Sequence, residues 1–258
     1  SYSTAGAQSD TLLSDVIDVD VSDGGRFVSF ASDATNLVSG DTNNKTDVFV
    51  RDTLKGVKLT LAGPTSAPGY LAEFNLTSTL KDVYGRVRGG CVVNFDMWDG
   101  SVWTPVGIGT TDATYGKTTT RTAGIRWATR YRASTPAIFP NAEAAVEITV
   151  TPKALISQPT PAAGTYRVNV SKNVTGYLWP RHAPGSYPLV IQCLHGESGR
   201  WVLRKTVYAK AFDSEGKTLY AASVKLPYTG YWRLRGYHKT DSRNAATYSA
   251  YKSVRVYR

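Results

Sequence analysis

The chain has 258 residues, 41% of them hydrophobic, and carries 30 Lys and Arg against 20 Asp and Glu for a net charge of +10. That apolar content is enough for packed cores, and the absence of any run of 18 apolar residues excludes a transmembrane helix. No His-Glu-x-x-His, Gly-x-Ser-x-Gly, P-loop or dinucleotide fingerprint occurs, so no enzyme class with a local signature is indicated.

The composition is that of strands. There are 16 Tyr and 6 Trp but a single Met, and Thr, Ser, Val and Gly fill long stretches. No sustained helical periodicity appears. The best candidate, 141–149, runs into the alternation Val146, Ile148, Val150, which reads as a strand. The charge is segregated along the chain. Residues 1–62 hold 5 Lys and Arg against 9 Asp and Glu, residues 63–158 hold 9 against 7, and residues 159–258 hold 16 against 4.

Residues 1–14 are polar and read as an arm. Then come the turn Ser22-Asp-Gly-Gly-Arg26, the strand Phe27-Val-Ser-Phe30, and the run Asp41-Thr-Asn43 through Asp47-Val-Phe-Val-Arg-Asp52. In that order they resemble one blade of a TolB-like β-propeller, a repeat of bacterial envelope and secreted proteins. A propeller needs about four to eight blades to close, and only one is present. A lone blade leaves open edges and an uncovered face, so it implies a longer propeller, docking on a neighbouring module, or pairing with another subunit. Within it, Asp41, Asn43 and Asp47 follow Gly40 at relative positions 1, 3 and 7, oxygen ligands at a spacing that can wrap Ca²⁺. Lys45 at position 5 and the lack of a Glu at position 12 favour the alternative, an Asx-rich turn.

Two Pro/Gly-rich joints, 62–69 and 157–164, divide the rest. The segments 63–158 and 159–258 resemble each other in order: Gly85 with Gly176, Trp103 with Trp201, Gly124 to Trp127 with Gly230 to Trp232, and Val146 to Val150 with Val254 to Val256. About seven short strands per copy predict two tandem immunoglobulin-like sandwiches, with Trp side chains filling the space between sheets. Cys91 and Cys193 fall in different copies and read as buried thiols. The run Val174 to His182, with Trp201 and with Leu226 to Arg235, resembles immunoglobulin-like repeats of secreted bacterial proteins. That resemblance implies an extracellular spacer, adhesive or wall-associated module without enzyme activity.

Period two then defines a face. With Trp232 and Leu234 inward, Tyr231, Arg233, Arg235 and Tyr237 point outward; with Val254 and Val256 inward, Arg255 and Tyr257 do. Like charges on neighbouring strands are unfavourable, and an anionic polymer or acidic surface would offset that cost. The alternative is a solvated face with Arg stems covering apolar surface. Trp179, beside Arg181 and His182, is expected to face out, against a ligand or a neighbouring module. The expected fold is therefore all-β, a propeller-blade-like segment followed by two immunoglobulin-like sandwiches. The expected function is a structural subunit that self-associates into a homo-oligomer or filament at the cell surface, pairing strands and acidic with basic ends. The alternative is an adhesive module for an anionic wall polymer or polysaccharide. Nucleic acid ranks below both, since no nucleic-acid-binding fold is recognised.

Overall fold

The computed structural model describes residues 18–22, 27–38, 40–43, 45–52, 57–82, 85–135 and 145–258. Among these the chain is all-β, with strands and no helix.

At the N-terminal end, β1 (Val19–Val21), β2 (Phe27–Ser32) and β3 (Asp47–Asp52) form an antiparallel sheet in the order β1-β2-β3. Phe30 lies opposite Phe49 and the two rings stack at 5.5 Å. Val19, Val21, Val48 and Val50 are exposed. A propeller blade has four strands; three are described here.

The first sandwich contains β4 (Lys58–Ala62), β5 (Phe74–Lys81), β6 (Val92–Trp98), β7 (Trp103–Thr110), β8 (Lys117–Thr122), β9 (Thr129–Ser134) and β10 (Ala145–Val150). One sheet has the order β4-β5-β8, the other β10-β9-β6-β7. Lettered A, B, C, C′, E, F and G in chain order, this is A-B-E facing G-F-C-C′, the immunoglobulin connectivity. Strict alternation drives the packing: in β5, Phe74, Leu76, Ser78 and Leu80 are buried and the residues between them are not. They meet Val93, Phe95, Tyr131 and Val150 from the facing sheet, with Phe74 edge-on to Tyr131 at 5.6 Å.

The second sandwich contains β11 (Leu155–Ile156), β12 (Thr160–Pro161), β13 (Tyr166–Arg167), β14 (Ser171–Trp179), β15 (Leu189–Glu197), β16 (Arg200–Ser214), β17 (Lys217–Lys225), β18 (Gly230–His238), β19 (Thr247–Tyr248) and β20 (Lys252–Tyr257). The ladder runs β11-β14-β17-β16-β15-β18-β20-β13. The 15-residue β16 belongs to both sheets: up to Ala209 it pairs with β15, and from Lys210 it pairs with β17. Around that crossing the ladder folds into A-B-E-D facing C-F-G, with β13 lying parallel to β20 beyond G.

Both segments form sandwiches, but two of the four sequence matches between them are out of register. Trp103 opens β7 and Trp201 is the second residue of β16, each at the start of the strand that follows C, and Ile148 and Val254 both lie on the last strand of their copy. Trp232, however, corresponds to Tyr131 on the F strand rather than to Trp127, which is 52% exposed ahead of that strand. Gly176 lies within β14, whereas Gly85 lies in the loop after β5. The tryptophans also do not fill both cores as expected. Only Trp232 is fully buried, and the remaining bulk comes from Tyr131, Phe95 and Tyr220. Trp201 and Leu203 face outward because His195, on the paired strand, turns its ring onto Trp232 at 4.6 Å. Its opposite number Val202 shares that inward side, which sends the residues flanking Val202 to the other face.

The sandwiches meet through backbone. The loop after β18 presents Arg243, Asn244 and Ala245 to the first sandwich. The Ala128 N–H donates to the Arg243 carbonyl at 2.7 Å, the Ala245 N–H to the Pro152 carbonyl at 2.9 Å, and Asn244 Nδ2 to the Arg126 carbonyl at 3.0 Å. Asn244 is completely buried there. Cys91 and Cys193 lie in different sandwiches; Cys193 is buried as expected, whereas Cys91 is only partly buried. Burial pushes the Cys193 thiol up to about 12.

Candidate functional site

The outer face of the sheet β16-β15-β18-β20 carries the cationic and aromatic side chains. In β18, Trp232, Leu234 and His238 are buried while Tyr231, Arg233, Arg235 and Tyr237 line the other side. No bulge interrupts β18 or β20, so Tyr231 pairs with Arg255 across the ladder and Arg233 with Ser253. Arg255 lies over the rings of Tyr231 and Tyr257 at 5.2 and 5.3 Å. Arg233 lies over Trp201 at 4.2 Å. Arg235 lies over Tyr248 at 4.0 Å, and donates to Gln192 Oε1 at 2.8 Å and to the Tyr251 hydroxyl at 2.6 Å. Tyr237 stacks on Tyr248 at 4.6 Å.

Each such stack contributes about 0.5–1 kcal/mol at an exposed site and holds the guanidinium flat and in place. Among the described residues none of the three arginines has a carboxylate partner. The ion pairs of the second sandwich not involving histidine are Arg181–Asp213 and Arg204–Glu197.

The first sandwich shows what a neutralised version of this face looks like. There Arg132 lies over Trp103 at 4.6 Å, the counterpart of Arg233 over Trp201. Arg132 is held by Asp96 at 2.9 Å, and Arg130 by Glu147 at 2.6 Å. By strand register, Leu194 occupies the place of Asp96, opposite the arginine on the C strand. Ser253 occupies the place of Glu147, opposite it on the G strand. The second sandwich keeps the arginine–tryptophan stack and lacks both carboxylates.

The remaining residues singled out from sequence lie elsewhere. Trp179 and Arg181 belong to the opposite sheet and do not join the face. Trp179 is half-buried beside Tyr177 at 6.0 Å, with Lys217 over both rings, and Arg181 pairs with Asp213 at 2.8 Å. In the N-terminal sheet region, Asp41 Oδ1 accepts the Asn43 N–H at 3.4 Å and Asn43 Oδ1 accepts the Lys45 N–H at 2.8 Å, two successive Asx turns. Asp47 opens β3, opposite Ser32.

One cluster was not anticipated. His182, in the loop after β14, meets His238 at the end of β18 and Asp241 three residues on, their ligand atoms all within 4.8 Å of one another. The three histidines of the chain fall in its C-terminal part, but only the fold brings two of them together with a carboxylate.

No protein-family model and no curated protein matches the sequence. Among solved structures, the Escherichia coli adhesin FdeC is similar at 12% identity over 87% of this chain and 74% of that chain, TM-score 0.37. An ICAM-5 D1–D4 ectodomain fragment is similar at 12% identity over 90% of this chain and 60% of that chain, TM-score 0.40. The titin fragment A168–A169 is similar at 12% identity over 78% of this chain and 97% of that chain, TM-score 0.32.

Proposed function

We propose that this chain is a non-catalytic extracellular adhesive protein whose second sandwich binds an anionic polymer, of the acidic wall-polymer or polysaccharide kind, on the outer face of β16-β15-β18-β20. The observation that carries this reading is the set Arg233, Arg235 and Arg255, each stacked on an aromatic ring and none paired with a carboxylate. An unpaired charge held by aromatics is preorganised for a partner, because little rotamer entropy remains to be lost on binding. The exposed rings of Tyr231, Tyr248 and Tyr257 add flat apolar surface of the kind that packs against sugar rings.

The test is retention on immobilised heparin, with uncharged dextran as the control. The chain is expected to bind heparin and elute with salt, and the double variant Arg233→Glu/Arg235→Glu to pass through while keeping its circular dichroism. Equal retention of the folded variant would sink the proposal.

A second reading rests on the N-terminal sheet, where Val48 is 77% and Val50 67% exposed. An apolar face with open edges suits a second copy of this chain, through strand addition or face-to-face packing. A mass in solution that rises with concentration supports that structural-subunit reading; a constant monomer mass refutes it and leaves the polymer-binding reading standing.

A further inference from the structure

The geometry points to a divalent transition-metal site of the zinc class formed by His182, His238 and Asp241, clamping the loop that joins the second sandwich to the first. His238 Nε2 lies 3.3 Å and His182 Nε2 3.7 Å from the same oxygen, Asp241 Oδ2. Tetrahedral ligands held about 2.0–2.1 Å from zinc stand about 3.3–3.4 Å apart, so two of the three donor separations are already close to that spacing and the third lies within 4.8 Å.

The hydrogen bonds around the cluster leave the ligating atoms free. His182 Nδ1 lies 2.8 Å from the Pro180 carbonyl, which accepts only, so the proton is on Nδ1 and the lone pair of the neutral ring is on Nε2. Asp241 Oδ1 accepts the N–H groups of Arg243 at 2.8 Å and Asn244 at 2.7 Å, leaving Oδ2 for the histidines. His182 Nε2 is buried without a hydrogen-bond partner, and so is His238 Nδ1. The unpartnered Nε2 lone pair of His182 faces a carboxylate oxygen, an unfavourable approach that a cation between them would relieve. The His182 and His238 side chains are 12% and 1% exposed, while Asp241 at 39% borders the cleft between the sandwiches. The ion therefore has an entry path and room for water as its fourth ligand.

Two protein segments would be tied by the ion. The His182 loop is anchored through its own N–H, which donates to Thr218 Oγ1 at 2.7 Å. The Asp241 loop carries Arg243, Asn244 and Ala245 into the first sandwich. Metal at this point stiffens the joint without touching the arginine face.

The experiment uses the tag-free full chain stripped with EDTA. Zn²⁺ is titrated in competition with a chromophoric chelator, and Co²⁺ is added separately to read tetrahedral coordination in the visible spectrum. One equivalent is expected to bind, to raise the melting temperature, and to slow amide exchange over 240–246. His182→Gln and Asp241→Asn, both at less buried positions than His238, are each expected to weaken Zn²⁺ binding by about 100-fold or more, since loss of a mere outer-shell partner already costs about 10–100-fold. Asp41→Ala is expected to leave it unchanged. No Zn²⁺ binding at tens of micromolar metal, or binding indifferent to both variants in folded protein, would overturn the assignment.

Discussion

Restoring the two missing carboxylates to the second sandwich should weaken its binding face. Ser253→Glu places an acid opposite Arg233 in β20, as Glu147 stands opposite Arg132 in β10. Leu194→Asp places one opposite Arg233 in β15, as Asp96 stands opposite Arg132 in β6. Leu194 is 8% exposed, the same as Asp96, and Asp96 is tolerated there because Arg132 reaches it with two nitrogens. The magnitude follows from counterion release. A dense polyanion contributes a salt slope of about −0.7 to −0.9 per contacted charge. Three contacting arginines then give a total slope of about −2 to −3, a loss of about 20- to 40-fold in affinity between 50 and 200 mM salt. Both acids stand opposite Arg233, so two arginine contacts remain and the loss over the same range shrinks to about 7- to 12-fold. The assay is calorimetry or fluorescence anisotropy against a heparin oligosaccharide at four salt concentrations, with the melting temperature of each variant as the folding control. A double variant that folds, yet keeps both the affinity and the salt slope of the parent, would refute the claim that unpaired arginines make this face.

Two further outcomes follow from the cores and the turns. Trp232→Ala should destabilise the second sandwich by about 3–5 kcal/mol, because the indole is fully buried and also donates to the Tyr228 carbonyl at 3.0 Å; urea unfolding would show this as a lower midpoint. Glu197 has its carboxyl lowered to about 2 by hydrogen bonds from Arg204 and then His195. Its stabilising contribution is therefore fully present above the ordinary carboxyl value of 4.5 and is lost as pH falls through about 2. Thermal melts of the parent and Glu197→Gln should converge over that window. The difference should also shrink in high salt, since the group is partly open to solvent.

The arginine face could be read before any coordinates because β18 and β20 are regular: period two holds over their whole length, so knowing that Trp232 is inside places Arg233 and Arg235 outside. On β15 and β16 the same rule fails. The register shifts between Cys193 and Leu194, and Lys205 and Leu203 take up the opposite positions with Arg204 between them. A bulge of this kind reverses which side a residue faces, and nothing in the residue pattern there announces it. Trp201, one of the tryptophans expected between the sheets, is instead the platform for Arg233. The absence of Asp96 and Glu147 equivalents needed the ladder register of both copies, which a drifting sequence match cannot supply. The His182–His238–Asp241 cluster needed more still, since strands C to E separate its two histidines along the chain; the only local signal was the i, i+3 spacing of His238 and Asp241 at a strand end.

The parallel pairing of β13 with β20 bears on how the second sandwich would carry load. Tyr166 lies beside Val256 and Arg167 beside Tyr257, and the clasp is extended by the Val168 N–H to the Tyr257 carbonyl at 2.8 Å and by Arg167 Nη1 to the Arg258 carbonyl at 2.9 Å. Tension along the polypeptide draws β13 backward and β20 forward. Neighbouring parallel strands moved in opposite directions slide past each other, so every hydrogen bond between them is strained at once. Separation one bond at a time, as in opening a zip, is not available to that geometry. Under such a pull β13 and β20 would form the mechanical lock of the second sandwich.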